Sequence, residues 1–194
     1  MATSSSPASP AMVEVAVIGS ARIGPEDGRY EEAVRLGAAL ADQGWTVITG
    51  GYGGLMGATA TGARSRGGHT VGLPMRAWDH LEPHGSNAEL RWSVDYAERM
   101  RHLLAATVVV ALPGGVGTLA EAGAVWAAAQ TEPDAASLVV VGPGWARLLE
   151  AFGRELVVDA ADLALARTAM AVDDVVRAVR DLLEQPSAPL SARG

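Results

Sequence analysis

An unbroken apolar run at residues 107–112 (TVVVAL) is the feature that most restricts how this chain folds. A strand that is apolar on both faces is typical of the centre of a parallel sheet covered by helices on both sides. Other β-branched runs, at 13–19 and 45–49, alternate with helical stretches such as 31–43. This alternation predicts an α/β fold, a Rossmann-like three-layer sandwich with a mostly parallel central sheet.

The same pattern predicts the remaining elements along the chain. A glycine-dense turn at 50–57 opens a helix that runs to about Arg66, and residues 76–91 have no clean period, which predicts a loop over a site. Asp173 is predicted to cap the last helix, which runs to Glu184. The other predicted strands are 69–73, 138–141 and 168–172, and the other predicted helices are 94–105, 118–130 and 145–156.

Length and composition predict one domain. The chain has 194 residues, of which 49% are hydrophobic, enough for one α/β core. We expect a Rossmann-like nucleotide-binding domain at 13–184, a disordered tail at 1–12 and a second tail at 185–194. No apolar run approaches the roughly 20 residues that cross a bilayer, and the Ser/Ala/Pro-rich start does not resemble a signal peptide. We therefore expect a cytoplasmic protein without a membrane partner.

Charge and two missing residue types exclude several kinds of chemistry. The formal net charge is -7, which argues against a nucleic-acid partner because such a surface needs a basic face. The absence of cysteine removes disulfides, thiolate nucleophiles and cysteine zinc sites. The chain also has no lysine, which excludes pyridoxal-phosphate Schiff bases and the Walker A loop. Pro83 interrupts the His80 and His84 spacing, so we expect no metal, and we expect no organic cofactor.

Glycines mark the ends of three predicted strands, at 19–24, 50–57 and 113–118. In open α/β sheets ligands bind outside the carboxyl ends of the strands, and glycines let the backbone approach them. Two helices would begin there, and their N-terminal N–H groups suit a phosphate. No G-x-G-x-x-G spacing follows the first strand and no acid follows the second, which disfavours NAD and FAD.

The segment from Pro113 to Glu121 contains Thr118-x-x-Glu121, which has two interpretations. It is the pattern of a capping box, in which the glutamate turns back onto the main chain of its own helix. Alternatively, the carboxylate lies beside a ligand held at the open, glycine-rich start of the helix. An acid in that place stabilises positive charge or activates water.

These motifs resemble the LOG ("Lonely Guy") family of cytokinin riboside 5′-monophosphate phosphoribohydrolases. The resemblance covers residues 13–141 and rests on PGGxGTxxE at 113–121, GGxGGLMG at 50–57 and Gly19-Ser20. It implies a Rossmann-like homodimer that hydrolyses the N-glycosidic bond of a nucleoside 5′-monophosphate to free base and ribose 5-phosphate, with the site near the dimer interface. A monomer in sedimentation would contradict a site shared between chains.

The resemblance also implies roles for particular residues. Phosphate would be held by the glycines and threonine of PGGxGT, and Glu121 would act at the ribose. Gln130 matches a family glutamine near the end of that helix. The family has an Arg-Lys pair whose arginine lies fifteen residues before the motif proline. Here that position is Glu98, Arg99 stands in the lysine's place, and Arg101 follows on the same helix.

Together the motifs predict a site for a small nucleotide substrate. Glu121 and Arg99 are the predicted catalytic residues. Trp78 and Trp92 flank the irregular loop, where they either form an aromatic wall for a base or pack within the fold. Glu98 stands where the family arginine is expected, and Ala124 stands where many relatives carry a second acid, so a non-catalytic nucleotide or phospho-ligand carrier stays open beside the hydrolase. A scaffold with purely structural glycines is a third alternative. The predicted binding residues are Gly19, Ser20, Gly51, Gly53, Gly54, Met56, Arg101, Pro113, Gly114, Gly115, Gly117 and Thr118.

Overall fold

A seven-stranded, fully parallel sheet forms the centre of the protein. The structure is a computed structural model and describes residues 12–132 and 134–184. The tails predicted at 1–12 and 185–194 lie outside this range, apart from the exposed Met12. In the order β4-β3-β2-β1-β5-β6-β7, the strands are β1 (Glu14–Ile18), β2 (Thr46–Thr49), β3 (Thr70–Gly72), β4 (Glu89–Leu90), β5 (Val108–Ala111), β6 (Ser137–Val141) and β7 (Ala166–Ala169).

Helices cover both faces of the sheet, which confirms the predicted fold class. Val108 and Val110 of β5 face the core on the side of α1, α2 and α7, and Val109 and Ala111 face the side of α3, α4 and α5. The apolar run at 107–112 is therefore buried on both faces, as predicted. In the described residues the helices are α1 (Gly28–Ala41), α2 (Gly54–Ser65), α3 (Tyr96–Leu104), α4 (Val116–Thr131), α5 (Pro143–Glu155), α6 (Ala160–Ala164) and α7 (Val175–Glu184).

Two glycines bring α1 and α2 into close contact. A Cβ on Gly37 would collide with the carbonyl oxygen of Thr59, and a Cβ on Gly62 would collide with that of Val34. The two contacts are reciprocal, so each helix presents its glycine to the backbone of the other. This packing fixes the position of α2 against α1.

We expect Gly37→Ala to destabilise the fold by about 2 kcal/mol or more, because the added methyl forces two backbones apart in a close-packed core. Urea denaturation measures the free energy of unfolding. Gly28→Ala is the matched control on the same helix, since a Cβ at Gly28 meets nothing within 4 Å. Equal stability of the two variants would contradict this account of the α1–α2 contact.

Several helices begin earlier than the sequence predicts. Asp27 caps α1 by accepting a hydrogen bond from the Arg29 N–H at 3.0 Å, so this helix starts at Gly28 and not at residue 31. Helix α4 starts at Val116, two residues before the predicted position, and α2 starts at Gly54, inside the predicted turn. In the last two cases glycine N-caps replace the side-chain caps that mark a helix start in a sequence.

Short elements near the two sheet edges were missed or misplaced. Residues 76–91, predicted as a loop, contain a 3-10 turn at Arg76–Trp78 and the two-residue strand β4. Strand β7 covers Ala166–Ala169 and not 168–172, and α6 precedes it. Asp173 does not cap the last helix, because it lies within a 3-10 turn at Val172–Asp174 that runs into α7. These elements are too short to show a period.

A helix that spans a bilayer needs about 20 mostly apolar residues. Within residues 12–132 and 134–184, no helix is both long and apolar enough to cross a membrane.

Candidate active site

The carboxyl ends of β1 and β5 form the switch point of the sheet, where ligands bind in folds of this kind. The Ser20 N–H, just after β1, donates to the Pro113 carbonyl at 3.1 Å. The Ser20 carbonyl accepts from the Leu55 N–H of α2 at 2.9 Å. A Cβ on Gly19 would lie 3.1 Å from the Leu112 Cβ, so glycine permits this close approach. Ser20 is thus hydrogen-bonded both to the loop before α4 and to the first turn of α2. The N-termini of these two helices therefore lie close together, as the sequence predicts.

The glycines before α2 shape the backbone. Gly51 has a φ of +90°, and its carbonyl accepts hydrogen bonds from the His84 N–H at 2.8 Å and the Asn87 Nδ2 at 3.0 Å. Gly54 has a φ of +68° and lies against the Ser20 carbonyl, where a side chain would collide. These positions require glycine for conformation and packing. Gly53 is the N-cap of α2, and the Met56 side chain is buried.

The start of α4 presents N–H groups that a ligand can use. Gly115 is the N-cap, and residues 114–117 are exposed. Among the residues that the structure describes, no acceptor bonds the N–H groups of Gly115, Val116, Gly117 or Thr118. The first N–H groups of a helix lack intrahelical partners and attract anions. Thr118 is buried, and its hydroxyl lies directly over Gly114.

We expect Gly114→Ala to weaken the binding of a phosphate group at the start of α4 by about tenfold, because the new methyl collides with the Thr118 side chain and displaces it from the loop. Isothermal titration calorimetry with inorganic phosphate measures the change. Gly123→Ala is the control on the same helix, where a Cβ meets nothing within 4 Å. An unchanged affinity in Gly114→Ala would contradict a binding role for this loop.

Glu121 pairs with a buried arginine. Its Oε1 accepts hydrogen bonds from Arg99 Nε at 3.2 Å and from Arg99 Nη2 at 3.1 Å. Arg99 Nη1 donates to the Gly50 carbonyl at 3.0 Å and to the Leu73 carbonyl. Arg99 is 4% exposed and Glu121 is 7% exposed. The capping-box interpretation is therefore wrong, since the carboxylate turns toward α3 and not onto its own main chain.

Burial dominates the electrostatics of the Arg99–Glu121 pair. It raises the pKa of the Glu121 carboxyl above its usual range, and the charge and hydrogen bonds of Arg99 oppose this rise. Tyr96, at the first position of α3, lies near enough to feel both charges. Burial raises the pKa of Tyr96, the Glu121 charge raises it further, and the Arg99 charge lowers it. The Glu121 carboxylate is thus buried, and its charge interacts with the Arg99 guanidinium and the Tyr96 phenol.

One aromatic ring packs near the guanidinium of Arg99, and a second ring supports it. The Cζ of Arg99 lies 5.4 Å from the ring centroid of Trp78, which lies 5.8 Å from that of Tyr52. Trp92 instead pairs with Arg76, whose Cζ lies 5.4 Å from the Trp92 ring. Trp78 and Trp92, predicted to form one aromatic wall, therefore contact different arginines. Trp92 lies near Arg76, and Trp78 lies near Arg99 of the Arg99–Glu121 pair.

The other two charges singled out on α3 lie away from Glu121. The Glu98 carboxylate accepts from the Val94 N–H at 2.6 Å, and its own N–H donates to Asp95, so Glu98 stabilises the start of the helix. Arg101 is exposed, and two residues of α-helix rotate it about 200° from Arg99. Counting from Pro113 makes Glu98 the residue that replaces the family arginine, but the guanidinium of Arg99 is the one that reaches Glu121.

Two cavities lie on the other side of α4. One of about 290 Å³ adjoins Gly114 and Gly115 and is lined on its other side by Trp145 and Leu148 of α5. The second, about 550 Å³, continues from it between α4 and α5 and is mainly apolar. Gln130 lines the larger cavity and donates to the Asp162 carboxylate at 2.8 Å. Glu121 lines neither of these two cavities.

The histidine spacing does not gather a metal site. Within the described residues, no group of three His, Cys, Asp or Glu side chains is placed to hold an ion. His84 instead accepts a hydrogen bond from the Ser86 N–H at Nδ1, and its ring packs against Gly57 of α2.

Sequence reasoning missed the carbonyls and rings around Arg99, although one signal was present. Arg99 and Leu103 are the buried residues of α3 and are spaced i, i+4, so Arg99 lies on the apolar stripe of its helix. A charged residue on such a stripe needs a buried partner. The ring of Trp78 had no comparable signal, because its turn lies in a segment without periodicity.

Taken together, these features define a Rossmann-like α/β protein whose glycine loops meet at the switch point beside a buried acid. The chain belongs to the SLOG cluster4 family, whose model matches residues 12–132. It is 36% identical over 120 residues to a protein of Mycobacterium marinum named cytokinin riboside 5'-monophosphate phosphoribohydrolase, and this match covers 58% of the chain and 62% of that protein. A protein of Mycobacterium tuberculosis with the same name is 35% identical over 99 residues, covering 50% of the chain and 53% of that protein. The chain thus spans less than two thirds of the length of these relatives, and the predicted resemblance to the LOG family is confirmed.

Solved structures confirm the fold over a larger part of the chain. A molybdenum cofactor binding protein of Rippkaea orientalis superposes with a TM-score of 0.73 at 19% identity, covering 90% of this chain and 99% of that one. The molybdenum cofactor carrier protein of Chlamydomonas reinhardtii gives a TM-score of 0.70 at 23% identity, with the same coverage. At these identities the likeness establishes the shared architecture.

Proposed function

We propose that this protein hydrolyses the N-glycosidic bond of a nucleoside 5′-monophosphate, of the AMP or cytokinin riboside type. One observation carries the proposal: Glu121 lies one helical turn beyond Thr118, and a buried arginine holds its carboxylate away from its own main chain. A phosphate on the N–H groups of residues 114–118 brings the attached ribose toward that carboxylate. The named relatives support the same reaction class.

In the proposed reaction the bond between the ribose C1′ and the base nitrogen breaks, and the oxygen of water bonds to C1′. Glu121 stabilises the oxocarbenium-like sugar and accepts a proton from the attacking water, as carboxylates do in glycoside hydrolysis. The base leaves with the bonding electrons and takes up a proton from solvent, to which Glu121 returns the proton that it accepted from the attacking water. The products are free base and ribose 5-phosphate.

Arg99 acts on the acid in this proposal and not on the phosphate. Its guanidinium donates to the Glu121 carboxylate and to the Gly50 and Leu73 carbonyls, which occupies four of its five N–H groups. Its role is to orient the carboxylate and to keep it ionised in a buried place. The backbone N–H groups of α4 carry the phosphate, as helix N-termini commonly do.

A second candidate function is a carrier of a phosphorylated ligand. The cavity beside Gly114 and Gly115 and the larger cavity between α4 and α5 favour it, because Glu121 lines neither. A ligand that occupied them would have its phosphate at the start of α4 and its body out of reach of the acid. The loss of a second acid at Ala124 agrees with this alternative.

One experiment separates the two functions. The protein is incubated with a panel of nucleoside 5′-monophosphates, free base is measured by chromatography, and thermal stabilisation by each compound is recorded in parallel. The hydrolase predicts base release from at least one member. Stabilisation without any base release establishes the carrier instead, and the absence of both leaves the glycines with a structural role.

A further inference from the structure

The Arg99–Glu121 pair is buried although the loop that precedes it along α4 is open to solvent. Residues 114–117 are exposed, whereas Glu121, four residues after Gly117, is 7% exposed. Neighbouring side chains must therefore keep water from the pair. The groups nearest to Arg99 show one of them.

Trp78 packs against the guanidinium of the pair. It ends the 3-10 turn at Arg76–Trp78, and its ring centroid lies 5.4 Å from the Arg99 Cζ. The Tyr52 ring supports it at 5.8 Å, and the Tyr52 hydroxyl accepts a hydrogen bond from the Met75 N–H at 2.9 Å. That bond ties the start of the turn to the loop before α2, so the ring is held over the guanidinium.

We propose that Trp78 is a positioning residue that shields the guanidinium side of the Arg99–Glu121 pair from bulk water and holds the guanidinium on the acid. This inference deepens the proposed function and rests on it for its catalytic meaning. Trp78 acts through Arg99, since its ring lies on the guanidinium and not on the carboxylate. An aromatic face binds a guanidinium most strongly where water is excluded.

The consequence for Glu121 follows from its surroundings. The charged group that shifts its pKa is Arg99, and the Glu121 charge in turn acts on Tyr96, also on α3. Burial is the largest cause of the raised pKa of Glu121. Removing the Trp78 ring admits water, which stabilises the charged carboxylate and lowers the pKa toward the ordinary value. Water also weakens the opposing effect of Arg99, but because burial is the largest cause, we expect the net shift to be downward.

The test is a titration of the free protein that needs no turnover. The carboxyl carbons of glutamate are labelled with ¹³C, and the Glu121 signal is assigned by its loss in Glu121→Gln. We expect a midpoint above the ordinary glutamate range in the unmodified chain and a fall of about one pH unit in Trp78→Ala. Trp92→Ala is the matched control, because Trp92 also lies 5.4 Å from an arginine, the exposed Arg76, and its removal is expected to leave the midpoint unchanged.

Two more variants keep the proposal falsifiable if Trp78→Ala does not fold. Trp78→Phe keeps an aromatic cover and is expected to hold the midpoint within about 0.3 pH unit, whereas Trp78→Leu leaves the guanidinium partly open and is expected to lower it by about half a unit. A midpoint that stays the same in Trp78→Ala, or in Trp78→Leu, overturns the inference. If the unmodified protein releases no base from any nucleotide, the proposed function fails, while the titration still decides the role of Trp78.

Discussion

Glu121→Gln is expected to abolish release of base from AMP while leaving AMP binding within about threefold. Glutamine keeps an oxygen that accepts from Arg99, so the packing of the pair is preserved. It cannot accept a proton from water and carries no negative charge to stabilise the sugar cation. Loss of such a group costs about 10³-fold or more in rate.

The rate is measured by chromatography of free base and the affinity by calorimetry, both on the same preparation. Glu98→Gln is the control, since that carboxylate lies at the start of α3 and bonds the Val94 N–H. Base release by Glu121→Gln at the rate of the unmodified protein would remove Glu121 from the reaction.

Arg99→Met is expected to lower the free energy of unfolding by about 3–5 kcal/mol at neutral pH. Removal of one partner of a buried ion pair leaves the other charge uncompensated, and this is far more costly than loss of an exposed pair. Arg99 also bonds the Gly50 and Leu73 carbonyls, which lose their donor. Arg101→Met is the matched control on the same helix, and because Arg101 is exposed its expected effect lies within about 0.5 kcal/mol.

The stability lost in Arg99→Met is expected to depend on pH, and the raised pKa of Glu121 sets the direction of that dependence. Burial raises the pKa of this carboxyl in the folded state, so the folded protein binds more protons than the unfolded chain as pH rises past the ordinary glutamate value. The stabilisation from that proton is present at low pH and is lost as pH rises through the raised pKa. Without Arg99 the pKa rises further, so the deficit is expected to be larger at pH 8 than at pH 5.

Urea denaturation of the single and double variants tests this account of the pair. Replacing the orphaned acid as well, in Arg99→Met with Glu121→Leu, is expected to restore about 2 kcal/mol, because the unpaired buried charge is gone. Additive losses in the double variant would show that the two side chains do not stabilise each other.

The sheet and the glycine loops were predictable because their signals are local. The apolar run at 107–112 indicates a strand buried on both faces, and Val108–Ala111 forms the strand β5 next to β1. Glycines at 50–57 and 113–118 mark loops that meet at Ser20, and at Gly54 a side chain would collide with the Ser20 carbonyl.

The partner of Glu121 was not predictable by counting positions. Counting back from Pro113 places Glu98 at the family arginine's position. Strand β5 separates α3 from the motif, however, so the residue count does not fix which face of α3 turns toward Glu121. The buried stripe of Arg99 and Leu103 decides which face of α3 points inward. The contact of Trp78 with Arg99 depends on an irregular turn, whose course is set by tertiary bonds such as that from the Met75 N–H to the Tyr52 hydroxyl.

The most direct test of the central claim is a crystal structure of Glu121→Gln with AMP bound. We expect the phosphate to bind to the N–H groups of residues 114–118, near the Thr118 hydroxyl. We expect the ribose C1′ to face the substituted side chain beside Arg99. A phosphate bound elsewhere, or a nucleotide whose body lies between α4 and α5 with its ribose turned away from residue 121, would contradict the claim.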